Sequence, residues 1–290
     1  MVLPIIRASC KVARGLVARQ HAPMLRKALV PLIDFAYPPR CPSCGAAIAT
    51  GDVDGDDALC SDCWAQLEMP GQPACAACRR PFAAEHLGAE ALCAPCLVDP
   101  PRHSGIAAAT IYGPVSREMI LGLKHGGRIA SARRMGRMMA AKLGDVSGEA
   151  VVVPVPLHRW RLWRRGYNQS MLLARMIART RQCAIAPEAL CRVKRTPSLG
   201  GLNPAARARA LSGAIVPGRE AGKVSGRSVV LVDDVVTSGA TSDSCVSALL
   251  KAGARDVLVA CFARVIEGEY RTNENARGDQ TPGDPILPVR

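Results

Sequence analysis

Eight cysteines arranged as four Cys-x-x-Cys pairs constrain this chain more than any other feature. Fifteen residues separate the first pair from the second, and fourteen separate the third from the fourth. The intervening segments are short and rich in Gly and Ala, so they bury too little apolar surface to fold unaided. Two such pairs present four thiolates to one tetrahedral Zn²⁺, which makes this an internally duplicated zinc-ribbon pattern. The predicted ligands are Cys41, Cys44, Cys60, Cys63, Cys75, Cys78, Cys93 and Cys96.

Other roles for paired cysteines fit less well. Disulfides suit secreted chains, and this sequence has no convincing signal peptide. A redox Cys-x-x-Cys normally occurs once and opens a helix, and an iron–sulfur cluster is less favoured than zinc by the doubled spacing. We therefore expect structural zinc, one ion or two, with pairing within or across the quartets left open. His86 and His103 could replace a ligand but are not needed.

Charge and composition divide the 290 residues into four segments. Residues 1–40 are a basic leader, 41–100 are rich in cysteine, 104–266 alternate strands and helices, and 267–290 are polar, which predicts a disordered tail. The net charge of +14 favours polyanionic partners, namely nucleic acid, phosphorylated metabolites or anionic lipid. No segment is long and apolar enough to span a bilayer, so we expect a cytoplasmic protein whose leader is a helix rather than a targeting segment.

Four short apolar runs predict strands over residues 107–113, 151–155, 229–232 and 257–263. The segment between the last two reads as a helix that ends at Gly253, a residue suited to a helix C-terminus. Strand, helix and strand with short connections predict a parallel sheet. The fold class is therefore α/β, a parallel sheet flanked by helices, preceded by the cysteine-rich module. Cys245 and Cys261 are expected in its core.

The stretch "VVLVDDVVTSGAT" runs from Val229 to Thr241 and places two acids and several hydroxyls after an apolar strand. The turn and the first N–H groups of the next helix form a cradle for an anion. Two carboxylates beside a phosphate require a ligand that also carries a diol or Mg²⁺, as a ribose 5-phosphate unit does. The predicted ligand residues are Asp233, Asp234, Val235, Val236, Thr237, Ser238, Gly239, Ala240 and Thr241, with Asp233 and Asp234 as the catalytic candidates.

A second basic segment follows the strand at 151–155. It reads as an arginine-rich loop leading into a helix, and its cations could neutralise a pyrophosphate leaving group or contact nucleic acid. Trp160 and Trp163 interleave the arginines and offer surfaces on which bases could stack. The cationic candidates are Lys124, Arg159, Arg161, Arg164 and Arg165.

"VVLVDDVVTSGAT" resembles the phosphoribosyl pyrophosphate (PRPP) loop of type I phosphoribosyltransferases. With the cysteine pairs, "LKHGG" and "PVPLHRWRLWRRGYNQ", the chain from about residue 30 to 266 is similar to the competence protein F (ComF) family. Lys124, Arg165, Gly166, Asn168 and Gln169 match its other motifs. The resemblance implies a type I phosphoribosyltransferase fold and a Mg²⁺–PRPP ligand. It also implies a bacterial role in DNA uptake, in the use of DNA as a nutrient or in nucleotide salvage, with single-stranded DNA, helicases or recombination proteins as partners.

One loop departs from the family pattern. It keeps Thr196 and Arg207 but has Leu199 where the resemblance predicts Gln and Ala210 where it predicts Asn. The PRPP pocket is therefore better supported than turnover. Three hypotheses follow: a phosphoribosyltransferase of unknown acceptor, a non-catalytic adaptor that binds single-stranded DNA and keeps the fold as a scaffold, and a PRPP sensor.

Overall fold

A five-stranded parallel sheet lies at the centre of the computed structural model, which describes residues 40–48, 58–84, 86–146, 148–194 and 213–266. The sheet order is β1-β7-β6-β2-β3, and a separate antiparallel pair joins β4 to β5. The predicted α/β class is confirmed. The strands are β1 (Ile106–Ile111), β2 (Val151–Pro154), β3 (Ala184–Ile185), β4 (Leu190–Arg192), β5 (Ile215–Pro217), β6 (Ser228–Val236) and β7 (Asp256–Arg264).

Helices cover both faces of the sheet. They are α1 (Ser61–Ala65), α2 (Ala94–Val98), α3 (Pro114–His125), α4 (Ser131–Ala141), α5 (Arg159–Arg165), α6 (Gln169–Arg181) and α7 (Ala240–Lys251). On β6, Val230 and Val232 face the core shared with α3, α4 and α6, whereas Val229 and Leu231 face α7. This two-sided burial explains the continuous apolar run of a parallel strand. Across the described residues, every helix is too short or too polar to cross a membrane.

The β6–α7–β7 unit forms as predicted. Helix α7 ends at Lys251, and Gly253 follows at φ +90°, the left-handed conformation for which glycine is suited. Cys245 and Cys261 are fully buried, as expected.

Strand β6 extends further than the sequence indicates. Its pairing with β2 stops at Val232, which lies opposite Pro154, but its pairing with β7 continues to Val236 opposite Arg264. The expectation that the strand ends at the acids is therefore wrong on one side. Because β7 supplies hydrogen bonds past residue 232, the acids lie within the strand. They lie on the part of β6 that pairs with β7 but no longer with β2.

The arginine-rich segment is a helix rather than the predicted loop. The His158 side chain accepts a hydrogen bond from the backbone N–H of Trp160 at 3.3 Å, and Gly166 ends α5 at φ +80°. None of the residues of α5 is buried. Without an apolar face, the segment lacks the 3.6-residue pattern that identifies most helices.

The two cysteine modules pack differently. In the first, Cys41, Leu59, Cys63 and Leu67 join the apolar core beneath α3 and α4. The second forms a small cluster of its own four cysteines with Ala77 and Phe82. Residues 1–39 of the predicted leader and the whole predicted tail, together with Thr196, Leu199, Arg207 and Ala210, lie outside the described residues.

Candidate functional site

Asp234 is held by two side chains from neighbouring helices. Lys124, near the end of α3, forms an ion pair with Oδ2, and Nε2 of Gln169 donates a hydrogen bond of 3.2 Å to Oδ1. The Asp234 side chain is only 5% exposed and that of Lys124 is 25% exposed. A buried carboxylate needs such partners, because burial without them would penalise its charge. Both oxygens of Asp234 are therefore engaged by the protein itself.

Asp233 has a different environment. Its Oδ1 accepts hydrogen bonds from Oγ of Ser170 at 3.1 Å and from the backbone N–H of Asp234 at 2.9 Å. Among the described residues, none donates to Oδ2. Burial, followed by the neighbouring Asp234, raises the pKa of Asp233 to about 7, against the opposing effect of Lys124. Within the part of the chain that the structure describes, Asp233 thus has one carboxylate oxygen without a protein donor.

A cavity of about 360 Å³ opens over these acids at the carboxyl ends of β2 and β6. We call it the acid cavity. Of the residues predicted for the ligand site, it brings together Lys124, Arg161, Arg165, Asp233, Asp234, Val235 and Thr241. The acid cavity therefore combines carboxylates with cations, an arrangement suited to a ligand with both hydroxyl and phosphate groups.

An adjoining cavity of about 420 Å³ shares three cations with the acid cavity, namely Lys124, Arg161 and Arg165. It adds Arg164 and Trp160, and the guanidinium of Arg164 lies 5.9 Å from the centre of the Trp160 ring. The predicted Arg159 lines neither cavity. The two spaces together could hold a ligand longer than a ribose phosphate.

The remaining loop residues face elsewhere. Val236, Thr237, Ser238 and Gly239 line a third cavity of about 550 Å³, which lies between the loop and the second cysteine module. We call it the ribbon cavity. Gly239 caps the N-terminus of α7 at φ +80°, and Ala240 is the first residue of that helix. The predicted anion loop is thus divided between the acid cavity and the ribbon cavity.

Sequence reasoning missed several residues of the site. Ser170 follows the matched Asn168 and Gln169, so its position in that motif could have identified it. Arg192 of β4 also lines the acid cavity, and no sequence signal marks it. Asp243 lies in the first turn of α7, where burial, followed by Asp99, raises its pKa to about 6. Its carboxylate adds negative charge beside the loop.

The cysteines converge within each quartet. Every sulfur in the quartet from Cys41 to Cys63 lies within 4.8 Å of the others, and the same holds for the quartet from Cys75 to Cys96. Across the pairs, the sulfurs of Cys44 and Cys60 are 3.6 Å apart, and those of Cys78 and Cys93 are 3.7 Å apart. A tetrahedral Zn²⁺ with Zn–S bonds of about 2.3 Å requires sulfurs about 3.8 Å apart. The cysteines therefore pair within each quartet and form two separate sites.

Backbone N–H groups support the thiolates. The N–H of Cys93 points to Sγ of Cys75 at 3.3 Å, and that of Cys63 points to Sγ of Cys60 at 3.5 Å. Such hydrogen bonds orient metal ligands and stabilise their charge. The donor set and geometry fit structural zinc, since four thiolates leave no open coordination position.

Two family models match the chain. The double zinc ribbon domain matches residues 32–97, and the phosphoribosyl transferase domain matches residues 194–282. Among solved structures, one described as the allosteric regulatory enzyme of purine biosynthesis is 21% identical over 49% of this chain and 29% of its own, with a TM-score of 0.34. A score this low carries no weight for function.

This chain matches curated relatives over most of their length. DNA utilization protein YhgH of Escherichia coli is 32% identical over 214 residues, which is 72% of this chain and 91% of the relative. The Salmonella typhimurium protein of that name is 30% identical over 231 residues, 69% of this chain and 100% of its own. Competence protein F of Haemophilus influenzae is 28% identical over 214 residues, 71% and 90% of the two chains. The chain therefore belongs to the family of DNA utilization protein YhgH and competence protein F, in which a double zinc ribbon precedes a phosphoribosyltransferase domain.

Proposed function

We propose that this chain binds Mg²⁺–PRPP in the acid cavity as a phosphoribosyltransferase-like protein that serves the uptake or use of DNA. One observation carries the proposal: Asp233, whose Oδ2 has no donor among the described residues, lies in the same cavity as Lys124, Arg161 and Arg165. The names of the relatives supply the cellular context, since they refer to DNA utilization and competence.

The residues of the acid cavity match the parts of this ligand. A ribose hydroxyl donates to Oδ2 of Asp233, while Asp234 keeps Lys124 at the cavity wall. Arg161 and Arg165 face the pyrophosphate, whose oxygens accept charge-assisted hydrogen bonds from guanidinium groups. Thr241, in the first turn of α7, lines the acid cavity, and we assign the 5-phosphate to this end of the helix. Mg²⁺ bound with the pyrophosphate neutralises part of its charge.

Transfer would proceed by loss of pyrophosphate. The bond between C1 of the ribose and the pyrophosphate oxygen breaks, the electron pair leaves with pyrophosphate, and an acceptor forms a new bond to C1 and releases its proton to solvent. Positive charge develops on the ribose ring and negative charge on the leaving group. Arg161 and Arg165 stabilise the latter, so the described residues support electrostatic catalysis rather than a dedicated base.

A second function has its own observation. Trp163 is 81% exposed and Trp160 is 42% exposed, and both lie on α5 among its arginines. Exposed aromatics interleaved with cations are typical of surfaces that bind single-stranded nucleic acid. The alternative is therefore an adaptor that holds a single DNA strand on α5 and keeps the phosphoribosyltransferase fold as a scaffold or PRPP sensor.

Calorimetric titration of the zinc-loaded full chain with Mg²⁺–PRPP tests the first function. We expect saturable binding that weakens at least about tenfold in Asp233→Asn, because a charged acceptor is replaced by an amide, a loss of about 1.4 kcal/mol or more. Asp145→Asn, at an exposed position outside the acid cavity, is the matched control and should bind as wild type does. If wild type does not bind Mg²⁺–PRPP but binds a 20-nucleotide strand, the adaptor function replaces the first.

A further inference from the structure

Arg264 links the second zinc ribbon to the sheet. Arg264 is the last residue of β7, and its Nη1 donates a hydrogen bond of 2.6 Å to the carbonyl oxygen of Cys78. Its Nη2 lies 3.3 Å from Sγ of the same cysteine. Cys78 is one of the four thiolate ligands of the second zinc site. The guanidinium therefore contacts both the backbone and the sulfur of a metal ligand.

The same arginine adjoins the predicted phosphate loop. Arg264 is the register partner of Val236 in the parallel β6–β7 pair, and the N–H of Val265 donates to the carbonyl of Val236 at 2.9 Å. Val236 is the last residue of β6, and Thr237, the first residue of the loop, follows it. The side of the loop formed by Thr237, Ser238 and Gly239 lines the ribbon cavity together with Arg264. The loop therefore begins directly after the anchored end of β6.

Charge explains why an arginine occupies this position. Zn²⁺ with four thiolates carries two net negative charges, and part of that charge resides on Sγ of Cys78. A guanidinium that donates to such a sulfur both balances charge and orients the ligand. Zinc would hold Cys78 together with the other three ligands of the second site, and so fix the carbonyl oxygen and the sulfur that Arg264 contacts. The position of Arg264 is therefore tied to that of a metal ligand.

The first ribbon has different anchors. Nη1 of Arg128 donates to the carbonyl of Pro42 at 2.8 Å, and the N–H of Ile111 donates to the carbonyl of Glu68 at 2.8 Å. Neither contact reaches the loop after β6, and within the described residues the first quartet lines none of the three cavities described above. The two zinc sites therefore differ in what they support.

We propose that Arg264 is a positioning residue that couples zinc occupancy of the second ribbon to the conformation of the loop at Thr237–Gly239. Zinc at the second site fixes Arg264, Arg264 fixes the ends of β6 and β7, and the loop leaves β6 in one orientation. The part of this proposal that concerns ligand affinity rests on the function proposed above. The part that concerns the order of the loop does not.

The test compares Arg264→Met with wild type in the zinc-loaded full chain. Methionine keeps most of the length and removes the donors and the charge. We expect amide hydrogen exchange at Thr237–Gly239 to accelerate at least about tenfold, and release of one of two zinc ions to a chromophoric chelator to accelerate as well. Affinity for Mg²⁺–PRPP should fall at least about fivefold, a loss of about 1 kcal/mol. Arg128→Met is the matched control and should leave loop exchange unchanged.

Two further measurements keep the outcomes distinct. Arg264→Lys retains the charge with a single donor group, so its loop exchange should lie between wild type and Arg264→Met, and it serves if the methionine variant does not fold. In wild type, chelation should accelerate loop exchange in step with release of the second-site ion. Faster zinc release with unchanged loop exchange would overturn the coupling. Coupled loop exchange in a wild type that does not bind Mg²⁺–PRPP would instead overturn the proposed function alone.

Discussion

Lys124 forms an ion pair with Asp234, whereas the adjacent Asp233 takes its hydrogen bonds from Ser170 and from the backbone. Neighbouring residues of a strand point to opposite faces of the sheet, so two acids that look equivalent in the sequence meet different surroundings. The sequence treats both as partners of a ribose diol. In the structure, Lys124 and Gln169 contact Asp234, whereas Oδ2 of Asp233 has no donor among the residues that the structure describes.

Replacing Lys124 with Met should destabilise the fold, because it leaves a carboxylate that is 5% exposed without its cation. Breaking one side of a buried ion pair costs about 3–5 kcal/mol, and we expect about 2 kcal/mol or more here because Lys124 is itself 25% exposed. Urea unfolding of the zinc-loaded chain measures the loss. The double variant with Asp234→Asn should recover part of it.

The matched control for this prediction is Lys223→Met. Lys223 pairs with Glu220 at 2.5 Å, but its side chain is 57% exposed, so the loss should stay below about 1 kcal/mol. Equal losses in the two lysine variants, or no recovery in the double variant, would contradict the role assigned to the Lys124–Asp234 pair.

Asp233 should make stability depend on pH. Its folded-state pKa is raised to about 7, while the unfolded carboxyl titrates near about 4. The folded state therefore binds the proton more tightly, and the stability linked to that proton is intact below about pH 4 and lost as pH rises through about 7. Asp233→Asn carries no titrating group there. Its Tm should exceed that of wild type by several degrees at pH 8, with the difference shrinking toward pH 4.

Thermal unfolding at steps of pH, with zinc retained, measures this difference. The lower pH points need a check of zinc content, since thiolates lose metal on protonation. Asp145→Asn, at an exposed position, should track wild type at every pH. A constant offset between Asp233→Asn and wild type would show that the change acts through packing rather than through ionisation.

Metal content should be two Zn²⁺ per chain, because the sulfurs converge in two separate quartets. Cys78→Ser should reduce the content to about one, and Cys44→Ser should do the same through the other site. Elemental analysis after gel filtration measures the ratio. A single ion in wild type, lost completely in either variant, would mean that the quartets share one site in solution.

Local pattern made much of this structure predictable. The cysteine spacings, the apolar run of β6 and the glycine after α7 each lie within a short segment, and each describes its own backbone. The loop after β6 was predictable for the same reason, because the strand, the acids and the turn are contiguous in the sequence. These features needed no knowledge of which surfaces meet.

The contacts that define the site are of another kind. Lys124 and Asp234 come from different elements, and Arg264 meets Cys78 across 186 residues of sequence. Such pairs depend on how α3 and the second ribbon pack on the sheet. The hydrophobic periodicity of the sequence does not predict that packing. Helix α5 was missed for a different reason, since four of its seven residues are arginines, which leaves too few apolar positions to show a helical period.

Helix α5 supplies the prediction that separates the two proposed functions. If a single strand stacks on its exposed aromatics, Trp163→Ala should weaken binding of a fluorescent 20-nucleotide strand at least about fivefold, since each stacked base contributes about 1–3 kcal/mol. Arg164→Gln should weaken it too and also reduce the salt dependence by about one counterion, because it removes a phosphate contact. The tryptophan variant should leave that dependence unchanged. Trp64→Ala is the control, since Trp64 is 46% exposed but lies against Arg134, with the guanidinium 5.4 Å from its ring centre. If all three variants bind the strand as wild type does, α5 is not a strand-binding surface, and its cations serve the ligand of the acid cavity alone.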